Sequence, residues 1–411
     1  MYNYAKASNK FHMLPAHKHA ESILIKLKDA NAINLLKAEY PKMRIRHLFD
    51  GHVEAYDHGL YGELLQELST KDYVVNVEPN ELMGAGIAGM PHNRFNKIQS
   101  NAYVKIGIND MWYQYRLLQK RIPTAFIRTA DMAVADAYFD TQHPQLDLIL
   151  PGWNVANNTT NVDYRNFGHP SSLADHGTMC AGILCAKQDN LQGIYGLGYN
   201  ARAKPISMTM DPSTNVSSAN MALAIKFAAD DGKRILSLSY GSVNSYSAID
   251  DAALYSFNKG LLICCAAGND TSSTVWSPAR NNTVFGIGGL APDANNIGTT
   301  QIDLVANYGA GIDYCLPYWG YSTYASMPYY KAGGTSHATP VFAALLSHIL
   351  YFMPDYSFSD VRQLINKHVI RESFQASDPR QSSGFFGYGI PQYDKIVAEL
   401  VNESGGIYVA V

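Results

Sequence analysis

The sequence predicts an α/β protein with a mostly parallel central sheet, preceded by a small α+β unit. From Ile122 onward, apolar runs of strand length alternate with segments of helix length, which is the order of parallel strands with covering helices. The first 80 residues instead follow the order strand, helix, two strands, helix and strand, which is typical of a compact antiparallel sheet. With 411 residues, 47% of them hydrophobic, the chain is long enough for two or three domains around a large core.

Each element follows from its apolar spacing. In the smaller unit we predict strands at residues 22–27, 45–56 (two strands) and 73–77, and helices at residues 31–40 and 62–68. In the larger part the predicted strands are residues 203–208, 235–239, 261–266 and 283–288. The predicted helices there are residues 219–230, 249–259, 335–351 and 358–367, with a last helix after a break at residues 387–391.

A serine stands at the start of the most apolar of these helices. Residues 333–340, Gly-Gly-Thr-Ser-His-Ala-Thr-Pro, lead into six apolar residues, and the glycines leave room beside the Ser336 hydroxyl. We expect Pro340 to lie in the first helical turn, where its missing amide removes no hydrogen bond. Alone, this pattern also fits an ordinary helix N-cap.

Two upstream residues change that interpretation. His176 precedes small residues at the start of another predicted helix, and Asp136 ends a mostly apolar, strand-like run. Asp136 alone could be a turn residue or a helix cap. Together, Asp136, His176 and Ser336 occur in the order of a catalytic triad, so we predict one.

The three residue types supply the parts that acyl transfer needs. Ser336 would attack a carbonyl carbon, His176 would take its proton and return it to the leaving amine, and Asp136 would fix the imidazole tautomer. The attack creates an oxyanion that needs a preorganised donor, and Asn269, after a buried strand, is the candidate, although Asn269 alone could be a turn residue. We expect activity to follow the titration of His176 near its ordinary pKa of about 6.5.

One acidic residue and four spaced motifs resemble the subtilisin-like serine proteases. They are Asp136, His-Gly-Thr at residues 176–178, Ser-Tyr-Gly and Ala-Gly-Asn at residues 239–241 and 267–269, and Gly-Thr-Ser at residues 334–336 followed by Ala338 and Pro340. The resemblance implies a three-layer subtilisin-like fold and a serine endopeptidase that acts through an acyl-enzyme. It also implies that Asn269 and the backbone amide of Ser336 hold the oxyanion.

Two other functions remain open at this point. The first is an esterase-type acyl hydrolase that uses the same triad, although Ser336 lacks the Gly-x-Ser-x-Gly elbow of many such enzymes. The second is a catalytically inactive peptide-binding module. It is suggested by Ala137-Tyr138, which follow Asp136 where the family usually has Ser or Thr and then Gly.

The resemblance also implies a channel for extended protein or peptide substrates. Two edge segments would pair with the peptide main chain. They comprise Ser239, Tyr240 and Gly241 on one side and Ala266, Ala267 and Gly268 on the other. Trp276 stands where the family often has glycine at the base of the primary pocket, so we predict a small residue, Gly or Ala, before the scissile bond. The alternative is an indole turned into the core.

The smaller unit resembles the subtilase propeptide. The chain is therefore interpreted as a zymogen that carries its own prodomain, and an unrelated accessory domain is the alternative. By the same resemblance, self-processing is expected near Gly86-Ile87. The predicted domains are an N-terminal extension (1–20), the propeptide-like domain (21–86), a linker with the start of the catalytic domain (87–120) and the catalytic domain (121–411).

No cofactor or metal is implied for catalysis, but many family members bind structural calcium. The family's aspartate ligand corresponds to Gln145, and a neutral amide is a poorer ligand for a hard dication than a carboxylate. The loop at residues 187–193, which would complete that site, is longer than usual. These two departures argue against calcium dependence.

The net charge and the cysteine residues limit which binding partners and which cellular location are expected. A net charge of -3 gives no reason to propose nucleic acid or an anionic membrane as a partner, and no apolar stretch approaches the length of a membrane helix. The first residues lack the apolar segment of a secretory signal. Five cysteines with mostly apolar neighbours are expected to be buried free thiols, which favours a reducing, cytoplasmic location. Secretion by a leader or route not visible in this sequence is the alternative.

Overall fold

The structure is a computed structural model. It describes residues 23–29, 31–41, 43–49, 52–56, 67–79, 131–187, 193–290, 305–371 and 387–403, together with eight positions between 103 and 115. The chain divides into two compact units, Met1–Gly84 and Ala85–Val411.

Helices that could cross a lipid bilayer, judged by length and apolar character, are not found within the described ranges.

Within its described residues, the first unit contains a four-stranded antiparallel sheet and one helix. Its elements are β1 (Ile23–Leu27), α1 (Ala32–Glu39), β2 (Arg44–Phe49), β3 (His52–Tyr56) and β4 (Val74–Pro79), with the sheet order β2-β3-β1-β4. The Asp29 carboxylate accepts from the amides of Asn31 and Ala32 at 2.8 and 3.0 Å, which fixes the start of α1. Ile25 and Leu36 are fully buried in the small core that joins helix and sheet. Most of the predicted helix at residues 62–68 falls outside the described residues.

The second unit is built on a seven-stranded parallel sheet of the predicted kind. Its strands are β5 (Met132–Asp136), β6 (Trp153–Asn154), β7 (Ala203–Ser207), β8 (Ile235–Leu238), β9 (Leu262–Ala266), β10 (Phe285–Leu290) and β11 (Tyr314–Pro317). They lie in the order β11-β10-β9-β8-β5-β7-β6, and every neighbouring pair is parallel. Strands β5, β8, β9 and β10 are buried along their whole length, as expected for a parallel sheet covered on both faces.

Two groups of helices cover this sheet. They comprise α2 (Asp175–Cys185), α3 (Ser218–Asp230), α4 (Ser247–Asn258), α5 (Thr335–Phe352), α6 (Phe358–Lys367) and α7 (Tyr393–Glu403). Helices α2 and α7 pack against α5, whereas α3 and α4 pack against each other. The described residues of this unit also form two short antiparallel strand pairs, β12 (Trp319–Thr323) with β13 (Tyr329–Gly333) and β14 (Val369–Ile370) with β15 (Ile390–Pro391). The predicted three-layer α/β architecture is confirmed.

The strand order reverses at β5, which makes the carboxyl edge of the sheet at this strand the expected place for a binding site. From β5 the sheet extends through β7 on one side and through β8 on the other. In open parallel sheets, ligands bind outside the carboxyl ends of the strands at such a reversal of strand order. Asp136 is the last residue of β5, so its carboxylate lies at this edge.

The position of Pro340 corrects one prediction. Helix α5 begins at Thr335, so Pro340 lies beyond the first turn, and its missing amide would have donated to the carbonyl of Ser336. Instead, Ser239 Oγ donates to that carbonyl at 3.0 Å and Cys180 Sγ contacts it at 3.6 Å. Because the proline has no N–H, the Ser336 carbonyl is left free to bond Ser239, at the end of β8, and to contact Cys180 of helix α2. These contacts connect both elements to the start of α5.

Two buried histidines of α5 are held by tyrosines from residues 103–115. The Tyr103 hydroxyl lies 3.2 Å from Nε2 of His337, and the Tyr115 hydroxyl lies 2.7 Å from Nδ1 of His348. The other ring nitrogen faces a backbone carbonyl in each case, Pro317 for His337 at 3.0 Å and Leu197 for His348 at 2.8 Å. Because a carbonyl can only accept, each imidazole donates to it, and the remaining nitrogen accepts from the tyrosine.

All five cysteines, Cys180, Cys185, Cys264, Cys265 and Cys315, are buried and form no disulfide. This agrees with the sequence-based prediction of free thiols. Cys264 and Cys265 are neighbours in β9, so their side chains point to opposite faces of the sheet.

Candidate active site

Asp136 and His176 form a hydrogen-bonded pair at the carboxyl edge of the sheet. The Asp136 carboxylate is fully buried, whereas 33% of the His176 side chain is exposed. His176 Nδ1 lies 2.8 Å from Oδ2 of Asp136, and Oδ1 accepts from the amide of Ala137 at 2.8 Å. With Nδ1 donating to the carboxylate, Nε2 is the nitrogen that can accept a proton.

The glycine after His176 allows this close approach. A Cβ built on Gly177 would lie 2.2 Å from the carbonyl oxygen of Tyr138 and 3.0 Å from Cβ of Asp136. Only glycine lets the first turn of α2 pack so closely on the end of β5. The His-Gly-Thr motif is therefore explained by the packing of its middle residue.

The pKa of His176 is raised above its ordinary value. Burial alone would lower this pKa, but the negative charge of Asp136 and its hydrogen bond to the imidazole outweigh burial. The titration that we expected near pH 6.5 therefore belongs at a higher pH. An imidazole stabilised as a cation by a buried carboxylate is what a general base needs in order to take a proton.

The unusual turn after Asp136 leaves this pair intact. Tyr138 is buried, and its hydroxyl donates to the carbonyl of Asp211 at 2.8 Å. The hydroxyl of Ser207, at the end of β7, donates to the carbonyl of Ala137. Ala137-Tyr138 thus form a fixed turn, and their difference from the family pattern does not displace the carboxylate.

Ser336 lies at the same edge, as the second residue of α5. Its Oγ donates to the carbonyl of Ser239 at 3.4 Å, and no hydrogen bond joins the described side chains of Ser336 and His176. The expected contact between nucleophile and base is therefore not made in this conformation. Such catalytic hydrogen bonds are often long or poorly aligned in the absence of substrate.

Cys180 lies between α2 and Ser336 but cannot replace the serine as nucleophile. It follows His176 by one helical turn and is fully buried. Burial and the charge of Asp136 raise the pKa of its thiol well above the ordinary value, so the reactive thiolate does not form.

Asp136, His176 and Cys180 each bring one ligand atom within 4.8 Å of the others. Because Asp136 and His176 are already paired with each other, we assign no metal to this group.

Asn269 is held so that its amide nitrogen is left available. Its Oδ1 accepts from the Thr335 amide at 2.9 Å and from Thr335 Oγ1 at 3.1 Å. Thr335 Oγ1 in turn accepts from the amide of Gly268 at 3.1 Å. With its oxygen engaged, Asn269 presents Nδ2 as a donor.

The second donor is the backbone amide of Ser336. As an amide of the first helical turn, it has no acceptor within α5. A Cβ built on Gly334 would lie 3.4 Å from Ser336 N and 3.6 Å from Asn269 Nδ2. Both donors therefore face the small space left by the absent side chain of Gly334, and a single oxygen atom placed there could accept from both.

A buried asparagine, which the sequence analysis did not identify, braces this loop. Asn307 Oδ1 accepts from the amides of Asp270 and Ser272 at 2.8 and 3.1 Å. Its Nδ2 donates to the carbonyls of Ala267 and Thr274 at 3.1 and 3.2 Å. Four hydrogen bonds from one fully buried side chain thus fix the loop that carries Asn269. No local motif marks Asn307, which has no catalytic residue beside it in the sequence.

The structure brings the predicted peptide-binding segments to the same place. Ser239 donates to the carbonyl of Ser336, and Gly268 donates to Thr335, so each segment is bonded to the first turn of α5. Ala266 ends β9 and Ala267 is buried beside it. Tyr240 packs edge-on against the His176 ring, with 5.4 Å between the ring centroids.

Trp276 lies between these segments and not in the core. A Cβ built on Gly268 would lie 2.6 Å from Cδ2 and Cε2 of the indole, and one built on Gly241 would lie 3.1 Å from Cβ of Trp276. The alternative of an indole turned into the core does not agree with this position. The proposed processing residues Gly86 and Ile87 lie outside the described residues.

The residues at the family's calcium position do not fit a hard dication well. Gln145 is buried and supplies only a neutral amide, while the Lys187 ammonium donates to the neighbouring carbonyl of Pro144 at 2.8 Å. A cation at that carbonyl competes with a metal ion for the same oxygen. Residues 188–192 of the adjoining loop fall outside the described part of the chain.

Comparison with known proteins relates these features to one family. The family model for the Subtilase family matches residues 130–389. The thermophilic serine proteinase of Bacillus sp. (strain AK1) is 28% identical over 379 residues, which are 90% of this chain and 82% of that protein. Thermitase of Thermoactinomyces vulgaris is 30% identical over 213 residues, which are 51% of this chain and 71% of that protein.

Solved structures share the fold. Sphericase matches with a TM-score of 0.54 at 23% identity, over 67% of this chain and 96% of that chain. The epidermin leader peptide processing serine protease of Staphylococcus aureus matches with a TM-score of 0.59 at 16% identity, over 92% of this chain and 97% of that chain. These two likenesses concern the fold, whereas the family match covers the sequence from strand β5 to the residues before β15. The chain belongs to the subtilase family of serine proteases.

Proposed function

We propose that Ser336 is the nucleophile, His176 the general base and Asp136 the orienting acid of the serine endopeptidase activity that family membership gives this protein. The observation that carries the assignment is the convergence on one space of two unpaired donors, Asn269 Nδ2 and Ser336 N. At the same carboxyl edge of the sheet, His176 is hydrogen-bonded to the buried carboxylate of Asp136. An inactive binding module has no need of this combination.

The proposed reaction begins when Ser336 Oγ attacks the carbonyl carbon of the scissile bond while His176 Nε2 accepts its proton. For this step, Oγ turns from the Ser239 carbonyl toward the imidazole. The carbonyl oxygen becomes an oxyanion and accepts from Asn269 Nδ2 and Ser336 N. The C–N bond then breaks, and the imidazolium returns the proton to the departing amine.

The resulting acyl-enzyme is an ester of Ser336. A water molecule attacks this ester, His176 again takes the proton, and the tetrahedral intermediate expels Ser336 Oγ, which regains that proton. Asp136 accepts the hydrogen bond from His176 Nδ1 and stabilises the imidazolium that forms in each half of the reaction. No cofactor takes part in these steps.

We propose that the enzyme cleaves after small residues. The indole of Trp276 lies between Gly241 and Gly268, one on each edge segment. In this proposal, the side chain before the scissile bond would extend into the space that the indole fills. Gly and Ala need little of this space, whereas Phe or Leu would collide with the indole. An extended peptide would pair with the edge segments through its main chain.

We further propose that the first unit is a prodomain removed by self-cleavage near Gly86-Ile87. Its four-stranded antiparallel sheet with order β2-β3-β1-β4 and its helix α1 support a compact folding unit of the propeptide type. Cleavage after Gly86 would agree with the small-residue preference.

The five buried free thiols support a cytoplasmic location.

Intact-mass analysis and N-terminal sequencing of purified protein test these proposals. The wild type should convert to a form that begins near Ile87, and Ser336→Ala should remain full length. The assignment of Ser336 fails if the Ala variant processes itself equally well. A mature N-terminus preceded by an aromatic or basic residue would instead exclude the small-residue preference. Digestion of casein by the wild type would separate a protease from an esterase.

A further inference from the structure

The Trp276 indole is held by one specific side chain. Its Nε1 donates to Oδ2 of Asp270 at 2.6 Å. Such a hydrogen bond to a carboxylate is stronger than one between neutral groups. The Trp276 backbone is fixed separately, because its amide donates to the carbonyl of Ala267 at 3.0 Å and its carbonyl accepts from the amide of Arg280 at 3.1 Å. The bond to Asp270 therefore determines the direction of the side chain, not the path of the main chain.

Asp270 is positioned by Asn307, the buried residue that also fixes the loop carrying the oxyanion donor Asn269. It directly follows Asn269, and its amide donates to Oδ1 of the buried Asn307 at 2.8 Å. The Asp270 carboxylate thus reaches across the loop to the indole from a fixed backbone. Nothing in the triad or the oxyanion site uses this carboxylate, so its bond to Trp276 is the contact that explains its orientation.

We infer that Asp270 is a positioning residue that latches the Trp276 indole across the primary specificity pocket and thereby restricts cleavage to bonds after small residues. This inference rests on the proposed function. Gly241 and Gly268 give the indole its space, and the Asp270 carboxylate selects the orientation that closes the pocket. Without the latch, the indole can leave the pocket by rotation about its side-chain bonds, and larger residues can enter.

The expected effect follows from the strength of one hydrogen bond. Asp270 is exposed, so solvent competes for its carboxylate and the lower part of the range for charged groups applies. Loss of the latch should therefore shift the equilibrium between closed and open indole by about 10-fold. The same factor should appear in selectivity between small and large residues, because only the open pocket admits the large ones.

The test compares kcat/KM for two neutral peptides that differ only in having Ala or Phe before the scissile bond. Neutral peptides are needed because removal of the Asp270 charge would itself alter binding of a basic residue. In the wild type the Ala peptide should be strongly preferred. Asp270→Ala should raise the Phe/Ala ratio about 10-fold, and Trp276→Gly should raise it further because the whole indole is removed. Asp270→Asn keeps an acceptor oxygen near Nε1 and should restore much of the wild-type ratio.

A double-mutant cycle separates the latch from a general loosening of the loop. Trp276→Phe keeps an aromatic ring but has no N–H, so adding Asp270→Ala to it should leave the Phe/Ala ratio unchanged. The inference is overturned if Asp270→Ala raises the ratio equally in the wild type and in the Trp276→Phe variant, or if it lowers kcat/KM for both peptides with no change in the ratio. Failure of the proposed function has a different signature, namely no cleavage of the Ala peptide by the wild type and no fluorophosphonate adduct on Ser336.

Discussion

Polar groups at the N-terminal end of helix α5, its mouth, differ from polar groups in its buried interior in how fully their hydrogen bonds are satisfied. At the mouth, the Ser336 amide and Asn269 Nδ2 face a shared space, and His176 is partly exposed beside a buried carboxylate. In the interior, His337 and His348 have both ring nitrogens engaged by a tyrosine hydroxyl and a backbone carbonyl. In the proposed mechanism, the donors left available at the mouth serve catalysis, whereas the polar groups satisfied in the interior stabilise the fold.

The histidines show this difference in their pKa values. Burial would lower the pKa of His176, but Asp136 raises it overall. Burial lowers the pKa of His337 and of His348 to about 4, since a carbonyl acceptor only partly offsets the loss of hydration. The partner of a buried imidazole therefore decides whether its cation is favoured or excluded. Changes at the mouth should alter rates, and changes in the interior should alter stability.

The largest effect is expected for His176→Ala. Removal of the general base should lower kcat by about six orders of magnitude, because the serine hydroxyl then has no acceptor for its proton. Hydrolysis of a small-residue peptide by processed enzyme measures this loss. His348→Gln, an interior change on α5, is the matched control and should retain kcat within about tenfold under conditions where it is folded. Similar losses for both variants would contradict the distinction between mouth and interior.

Asp136→Asn should lower kcat by about 10⁴-fold, since the amide favours the wrong imidazole tautomer. The pH profile should change as well. In the wild type, activity should be lost as the pH falls through the raised pKa of His176, because only the neutral imidazole can accept a proton. Loss of the carboxylate lowers that pKa, so the residual activity of the variant should persist to a lower pH. A pH–rate profile of kcat/KM with an unchanged acidic limb would exclude Asp136 as the cause of the shift.

Asn269→Ala should lower kcat by about 10²- to 10³-fold, because one of two oxyanion donors is lost while the other remains. KM should change less, since the donor acts mainly on the charge that develops in the transition state. Steady-state kinetics on one peptide give both values. A main effect on KM would indicate that Asn269 binds substrate instead of stabilising the oxyanion.

The smallest effect concerns stability in acid. The folded-state pKa of His337 and of His348 is about 4, below the ordinary value of 6.5, so the neutral form stabilises the fold above pH 6.5 and this contribution is lost as the pH falls toward 4. Each histidine should account for about 3 kcal/mol over that interval. Denaturant unfolding of Ser336→Ala, which prevents self-digestion, measures the slope with pH. Adding His348→Gln should reduce this slope, and an unchanged slope would contradict the assignment.

The sequence predicted those parts of the site that depend on local pattern. Asp136, His176, Asn269 and Ser336 each lie within a short motif at the end of a strand or the start of a helix. Each motif alone has an ordinary structural interpretation, and the order of the motifs and their resemblance to one family singled them out. The parallel sheet was predictable for a similar reason, since its buried strands are continuous apolar runs. Trp276 was placed through its resemblance to a family position.

Contacts between distant residues could not be predicted in this way. Asn307 braces the amide of Asp270 across 37 residues, and Tyr103 reaches His337 across 234. No periodicity in one sequence encodes such pairs, because they depend on how elements pack. The error over Pro340 has a related cause, since its effect depends on the residue at which α5 begins, and sequence patterns place helix ends least reliably.

The pH dependence of fluorophosphonate labelling tests the central claim most directly, because it asks whether Ser336 is a nucleophile activated by His176. The processed enzyme should carry one adduct, mapped to Ser336 by mass spectrometry, and the labelling rate should rise with pH through a value above about 6.5. An adduct on another residue, or a labelling rate that does not depend on pH, would contradict the account.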